Sequence, residues 1–364
     1  MRANEEQQLF FMRWAVQLAE RGRCTAPPNP WVGCVIVKDG EILGEGYHEA
    51  AGKPHAESVA LKKAGNLAKG ATAFVSLEPC PHKGRTPPCV EALIEAGIRQ
   101  VVVALLDPDP RVSGKGLDVL KAAGIDVVLG VGKSEAAHSL RPYLHQRGTG
   151  RAFCVLKSAI SVDGRTAAAD GSSRWITGEE ARADVHLLRA QSQAIIIGSQ
   201  TALTDSPRLD VRGVQVARQP VRVLIDSQGR VPPEGPLADP SIAPTWVFTC
   251  TANQKQRWEA CGAQVFQRQT VDLKEVLEEL GKHGVIQALV EGGSLLHSAF
   301  LKAHLVDQIV VYMGNCLLGE HGRPFLSGLD IQQMDQAPRW TLENVRRFNN
   351  DVRLDFLPGC QASE

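Results

Sequence analysis

His55, Cys80 and Cys89 limit what this chain can fold into more than any other residues in it. They lie in three separate stretches, HAESVALKKAG, TAFVSLEPC and CVEALIEAGI, whose patterning reads as helix, strand and helix. If the three side chains are to meet, two helix starts and the end of a strand must come to one point. One histidine and two cysteines can hold zinc and leave its fourth position open, and an open zinc turns water into a nucleophile at neutral pH. A thiolate at a helix start is favoured by unpaired N–H groups and the helix dipole. Glu57 stands two positions after His55, so the two do not share a helix face and can meet only off the N-terminal end of the helix. There Glu57 need not touch the metal; it can take a proton from water and hand it to a leaving nitrogen. Hydrolytic removal of an amino group from an aromatic ring requires that combination. The competing reading is a closed structural site with His82 as fourth ligand, which leaves Glu57 without a task.

Around these residues the first half alternates strands and helices. WVGCVIVKDGEILGEGYH predicts two strands joined at Asp39-Gly40, and RQVVVALLDP, GLDVLKAAG and IDVVLG follow as strand, helix and strand. Leu9, Met12, Val16 and Ala19 recur at helical spacing and predict an amphipathic first helix. A polar, glycine-rich seam falls at residues 146–151, after which the pattern restarts with FCVLKSAISVDG. The expected division is 1–147 and 148–364, each an α/β domain, since 364 residues exceed one ordinary core. In the second half AIIIG, VRVLIDS, TWVFTC, IQALVEGG and QIVVYMG read as strands. ARADVHLLRAQ, LKEVLEELGKHG and SLLHSAFLKAHL read as helices, and the proline-rich residues 231–240 as a surface loop.

No GxGxxG follows a strand, so a dinucleotide fingerprint of that kind is not indicated. The turn at Glu291-Gly292-Gly293 joins a strand to a helix and can present backbone N–H groups to a phosphate. The formal net charge is zero, which provides no general attraction for polyanions and argues against a nucleic-acid substrate. No apolar run reaches the length of a membrane span. The nine cysteines show no framework spacing; apart from Cys80 and Cys89 they read as small apolar residues or idle thiols, as in a reducing, cytoplasmic compartment.

An H-x-E pair followed by P-C-x-x-C is the pattern of zinc deaminases. Here PHAE is followed by PCPHKGRTPPC, with eight residues rather than two between the cysteines, and the insert brings Lys83, Gly84 and Arg85 beside the metal. Together with PNPWVGCVIV and Gly46-Tyr47-His48, the first half resembles the deaminase half of the bifunctional riboflavin-biosynthesis deaminase/reductase family. KSAISVDGRTA, GSSRWITG, TDSPRLDVR, VLIDSQGRV and VEGGSLL resemble, in order, its reductase half. The resemblance implies an N-terminal cytidine-deaminase-like α/β/α domain with a mixed sheet and a C-terminal dihydrofolate-reductase-like α/β domain. It implies zinc-dependent deamination of 2,5-diamino-6-ribosylamino-4(3H)-pyrimidinone 5′-phosphate, then NADPH reduction of the ribosyl group of the product to ribityl. By the same resemblance Asn29 and His48 contact the pyrimidine or ribose, and Arg85 lies near the phosphate. The cofactor is expected near Ala159, Trp175, Thr201, Asp205, Ser227, Gly292 and Gly293. The second substrate is expected near Ser173, Arg189, Leu209, Arg212 and Glu291, with Lys157 at the reacting centre. Lys157 or Asp205 can supply the proton that the reduced nitrogen needs, and Arg189 and Arg212 can hold a phosphate bidentately. Zinc and NADPH are the expected cofactors, small pyrimidine ribose-phosphates the partners, and pairing into a homo-oligomer is common for reductases of this fold. A nucleobase or nucleic-acid deaminase with an accessory C-terminal domain is the alternative.

Overall fold

The computed structural model describes residues 5–82 and 87–359, and the chain divides into two units, Met1–Gly150 and Arg151–Glu364. In the first unit the elements are α1 (Glu5–Glu20), β1 (Gly33–Lys38), β2 (Glu41–Tyr47), α2 (Ala56–Ala64), β3 (Thr72–Val75), α3 (Cys89–Glu95), β4 (Gln100–Val103), α4 (Lys115–Ala122), β5 (Asp126–Leu129) and α5 (Lys133–Thr149). The sheet order is β2-β1-β3-β4-β5. β1 runs antiparallel to both β2 and β3, while β3, β4 and β5 are parallel, so the sheet is mixed. The β1–β2 turn is the expected one, with Asp39 and Gly40 both at positive φ.

Small residues set the position of α2. Ala56, Ala60 and Ala64 are buried, and a Cβ added at Gly44 or Gly46 would lie 2.3 Å from the Ala60 carbonyl oxygen or 2.5 Å from that of Ala56. The helix therefore rests directly on β2, which holds its start, and with it His55, against the sheet. Its core contains Cys34, Ile36, Val75, Leu93, Val101 and Leu120. On α1, Met12, Val16 and Ala19 are buried as the spacing predicted.

The second unit consists of β6 (Phe153–Ile160), β7 (Arg165–Ala167), α6 (Glu179–Ala190), β8 (Ala194–Gly198), α7 (Ser199–Asp205), β9 (Val221–Ile225), β10 (Thr245–Thr249) and α8 (Ala252–Ala260). It continues with β11 (Gln264–Gln267), α9 (Leu273–Lys282), β12 (Gln287–Val290), α10 (Ser294–Lys302), β13 (Gln308–Met313), β14 (Arg323–Pro324), β15 (Trp340–Phe348) and β16 (Asp351–Pro358). The main sheet has the order β11-β10-β9-β8-β12-β6-β13-β16-β15. Its strands are parallel from β11 to β13, and β16 and β15 add an antiparallel edge. The central strands β8 and β12 are buried but for Gly198 at the end of β8, which is why they read as continuous apolar runs.

Three expectations change. Residues 146–149, expected as a seam, form the last turn of α5, which Gly150 caps in the left-handed conformation. The strand expected to run to Cys80 ends at Val75. Residues 231–240 are not simply a surface loop: Val231 and Leu237 are buried. The reason is Arg222, fully buried on β9, whose guanidinium donates to the carbonyls of Pro236, Leu237, Asp239 and Ala243.

Candidate active sites

In the first unit His55 is the N-cap of α2 in extended conformation, and Cys89 is the first residue of α3 after Pro88. Cys80 arrives on an irregular segment after β3. Ser76 accepts the Gly33 N–H at 3.0 Å, and the Glu78 N–H donates to the Leu105 carbonyl at 2.9 Å. The Glu78 carboxylate, 5% exposed, accepts backbone N–H groups from Asp107 (3.3 Å), Gly114 (3.0 Å) and Gly116 (3.0 Å). One side chain thus ties the segment leading to Cys80 onto the loop after β4. That role was not read from the sequence, although Glu78 stands two positions before Cys80.

His55 Nδ1 lies 3.2 Å from Cys89 Sγ and 3.5 Å from Cys80 Sγ, and the three donor atoms all fall within 4.8 Å of one another. Among the described residues no fourth donor joins them; His82 stands apart. The Cys89 thiol, by bonding to Cys80, pushes the Cys80 sulfur well below the ordinary thiol range, and the same bond pushes Cys89 up. A nitrogen and two readily ionised sulfurs at this spacing fit zinc with an open position. Glu57 is 3% exposed. Burial, and next the negative Cys80, lifts its carboxyl to about 7, the range suited to carrying a proton at neutral pH.

His48 and Asn29 join this centre. The His48 and His55 rings meet edge to face at 5.0 Å. His48 Nδ1 faces the Pro54 carbonyl at 3.2 Å and its Nε2 faces Asn29 Nδ2 at 3.1 Å. Arg85, with Lys83 and Gly84, lies outside the described residues.

In the second unit the site residues gather where the parallel strands end. Lys157, on β6, has its Nζ 3.9 Å from Glu291 Oε2 and 5.7 Å from the Tyr312 ring centre. Glu291 follows β12 and takes a bidentate pair from Arg189 at 2.7 and 2.9 Å. Burial alone would raise the Glu291 carboxyl, but Arg189 and then Lys157 hold it down to about 2. Burial lowers the Lys157 ammonium against the opposing pull of Glu291. Tyr312 is itself fixed, its hydroxyl donating to Asp184 at 2.6 Å.

Two sequence expectations are revised here. Arg189 is committed to Glu291 and, through Nη1, to the Asp210 carbonyl at 3.2 Å, so its fork is not free for a phosphate. Leu209 is 4% exposed and packs in the core with Ile195, Ile197 and Val231, so only its backbone is left for a substrate. Arg212 stays accessible, beside His186 and 3.6 Å from Asp210. Asp205 is exposed at the end of α7; burial raises its carboxyl, against Arg174 and Arg323. Ala159 sits two residues beyond Lys157 on β6, Thr201 on α7, and Ser227 just after β9. Ser173 and Trp175 precede α6, and the Trp175 indole, 69% exposed, lies under Arg182 at 4.3 Å.

Gly293 is the extended N-cap of α10, and a Cβ placed on it would lie 3.7 Å from Thr201 Oγ1. The Gly292-Gly293 turn therefore lies against Thr201 of α7 and presents bare glycine backbone at the start of α10, a feature suited to a phosphate. His297 was missed by sequence reasoning. It is 1% exposed on α10, its ring edge to face with that of Phe325 at 5.7 Å, and burial lowers its pKa to about 4. A histidine inside an apolar helical run carries no sequence signal that separates a site residue from a core one.

Residues 5–105 match the model of the cytidine and deoxycytidylate deaminase zinc-binding region, and residues 152–354 that of the RibD C-terminal domain. The chain is 50% identical over 364 residues to riboflavin biosynthesis protein RibD of Chlamydia muridarum, covering 98% of each. It matches the solved structure of Acinetobacter baumannii RibD with a TM-score of 0.91 at 42% identity, over 98% of this chain and 100% of that one. A solved diaminohydroxyphosphoribosylaminopyrimidine deaminase/5-amino-6-(5-phosphoribosylamino)uracil reductase from Thermotoga maritima matches with a TM-score of 0.88 at 31% identity, over 98% and 100%.

Proposed function

Since the chain belongs to the RibD family of bifunctional riboflavin-biosynthesis enzymes, a zinc deaminase and an NADPH reductase in one polypeptide, we propose how its residues divide the two reactions. The first unit, Met1–Gly150, carries the deaminase, and the second, Arg151–Glu364, the reductase; the boundary expected at 147/148 moves past the end of α5. The first substrate is the 2,5-diamino-6-ribosylamino-4(3H)-pyrimidinone 5′-phosphate of the family, and the second is the deaminated 5-amino-6-(5-phosphoribosylamino)uracil. The observation that carries the reading is the triangle of His55 Nδ1, Cys80 Sγ and Cys89 Sγ with buried Glu57 beside it.

His55, Cys80 and Cys89 would hold zinc, which when bound acidifies water to a pKa of about 7. The Glu57 carboxylate accepts a proton from the attacking water and delivers it to the departing 2-amino nitrogen. Asn29 and His48 orient the pyrimidine, and Arg85, outside the described residues, is the phosphate-binding residue that the family resemblance implies. In the reductase the Gly292-Gly293 turn, Thr201, Ser227, Ala159, Asp205 and Trp175 receive NADPH, which supplies a hydride when bound. Attack at C1′ of the open imine form of the ribosylamine leaves a nitrogen that must gain a proton. Lys157 Nζ, held by Glu291, can donate it. Ser173, Arg212, Glu291 and the Leu209 backbone bind the substrate, and Arg189 acts by holding Glu291 in place. No helix among the described residues is long and apolar enough to cross a membrane. All eight described cysteines are unbridged, which supports a cytoplasmic setting, and pairing of chains follows the habit of such reductases.

Two variants test the division. Glu57→Gln should abolish deamination, retain zinc and leave NADPH oxidation on deaminated substrate intact; Lys157→Met should do the reverse. Loss of both activities in either folded variant would refute the assignment.

A further inference from the structure

We propose that Tyr312 is a positioning residue of the reductase: its ring holds the Lys157 ammonium beside Glu291, where the reduced nitrogen takes its proton. This rests on the reductase reading above and deepens it. β6 and β13 lie side by side and parallel, with Lys157 opposite Val310 and Ala159 opposite Tyr312. Side chains alternate along a strand, so Val155, Lys157 and Ala159 share one face of the sheet with Val310 and Tyr312. That face is apolar: Val155 and Val310 pack there with Val185 and Leu188 of α6. Lys157 is the one charge in its row of β6, and its side chain is only 14% exposed.

An ammonium in such a wall is stable only beside electron-rich groups. One is Glu291, whose Oε2 lies 3.9 Å from Lys157 Nζ. That carboxylate is already engaged, since both of its oxygens accept from Arg189, at 2.7 and 2.9 Å. The other is the Tyr312 ring, whose centre is 5.7 Å from Nζ, within reach of a cation–π attraction. Arg189 of α6 also faces Lys157 and repels it. His297 of α10 faces it too, but burial lowers the histidine's pKa to about 4, so it carries no charge at neutral pH. The ring offsets what the shared carboxylate leaves unmet.

The ring is tethered from three other elements. Tyr312 is fully buried, and its hydroxyl donates to Asp184 Oδ2 of α6 at 2.6 Å. Burial pushes that hydroxyl's pKa up, so it stays a donor. Arg353 of β16 donates to the same Asp184 oxygen at 2.7 Å, and Arg346 of β15 to the other at 2.8 Å. The Arg353 Cζ also lies 5.7 Å from the ring centre, but its charge is met by Asp184 and by Asp355 at 2.9 Å. The hydroxyl fixes the ring, and the ring acts on Lys157.

The test follows the single-turnover rate of NADPH oxidation on the deaminated substrate as pH rises, in the full chain, so that product release does not mask it. Lys157 donates only while protonated, so the rate falls as pH climbs through its pKa. Tyr312→Phe keeps the ring and drops the tether. Phenylalanines carrying one, two or three ring fluorines at position 312 then keep the shape and progressively weaken the negative face of the ring. Across that series the alkaline limb should move stepwise to lower pH, by about 0.5–1 unit in all, with the dissociation constant of NADPH and the melting temperature constant from Tyr312→Phe onward. Tyr312→Met, which fills the space without a ring, should match the most fluorinated protein. A limb that stays in place from Tyr312→Phe to the trifluorinated protein would overturn the role of the ring and leave the reductase reading intact. Reduction at the wild-type rate by Lys157→Met would sink both.

Discussion

Replacing Glu78 tests whether the proposed zinc ligand Cys80 is positioned by the loop after β4. The Glu78 carboxylate serves three backbone N–H groups, of which those of Asp107 and Gly116 are buried and that of Gly114 is half-buried. A buried donor left unpaired costs about 1–3 kcal/mol. Water can reach Gly114, so Glu78→Ala should destabilise the region by about 2–6 kcal/mol. Glu78→Gln keeps one carbonyl oxygen for Asp107 and Gly114 but turns an amide N–H toward Gly116, orphaning one donor, for about 1–3 kcal/mol. Rearrangement is restricted because a Cβ at Gly116 would already lie 2.2 Å from the Pro79 carbonyl oxygen; the two segments are in contact. Amide hydrogen exchange at Asp107, Gly114 and Gly116 reads this locally. In Glu78→Ala, protection at Asp107 and Gly116 should drop by about tenfold or more, and a chelator should strip zinc faster because the Cys80 segment is loosened. If protection stays within about threefold of wild type and the rate of zinc loss does not change, the reasoning that Glu78 positions Cys80 is wrong.

Two further outcomes are expected. The Glu291 carboxyl is depressed to about 2 in the folded chain against an ordinary value near 4.5, so its contribution is complete above pH ~4.5 and is lost as pH falls toward 2. Acid titration of stability for wild type and Glu291→Gln should show the difference between them shrinking across that window; a constant difference would mean the pair with Arg189 is not the source. Arg222→Lys should destabilise the second unit by about 2–4 kcal/mol, because one ammonium cannot serve all the carbonyls that the buried guanidinium serves. Denaturant unfolding measures this, and a loss under about 0.5 kcal/mol would contradict it.

Parts of the architecture escaped the sequence for identifiable reasons. α5 contains Pro142 and Gly148, and buries Ser139 and Gln146 alongside Leu140 and Tyr143, so its apolar stripe is blurred. β15 is exposed on both faces, with Leu342 and Val345 at 50% and 56%, so the in–out alternation that marks a strand is missing. Arg189 reads in sequence as a basic group able to hold a phosphate; only the tertiary structure shows it paired with Glu291 at the end of β12.

The sequence alone determined which atoms can do chemistry: a histidine, two cysteines and a glutamate with the spacing of an open metal site, and a second run of strands and turns suited to a nucleotide. Composition and local periodicity suffice for this, because ligand identity and helix or strand preference are properties of short segments. Tertiary structure decided which of those groups remain available. Whether an arginine meets a phosphate or a neighbouring carboxylate depends on contacts between residues distant in sequence. Arg189 and Glu291 come from α6 and the end of β12, and Tyr312 of β13 meets Asp184 of α6. Such pairings are set by how the sheet brings its strand ends together.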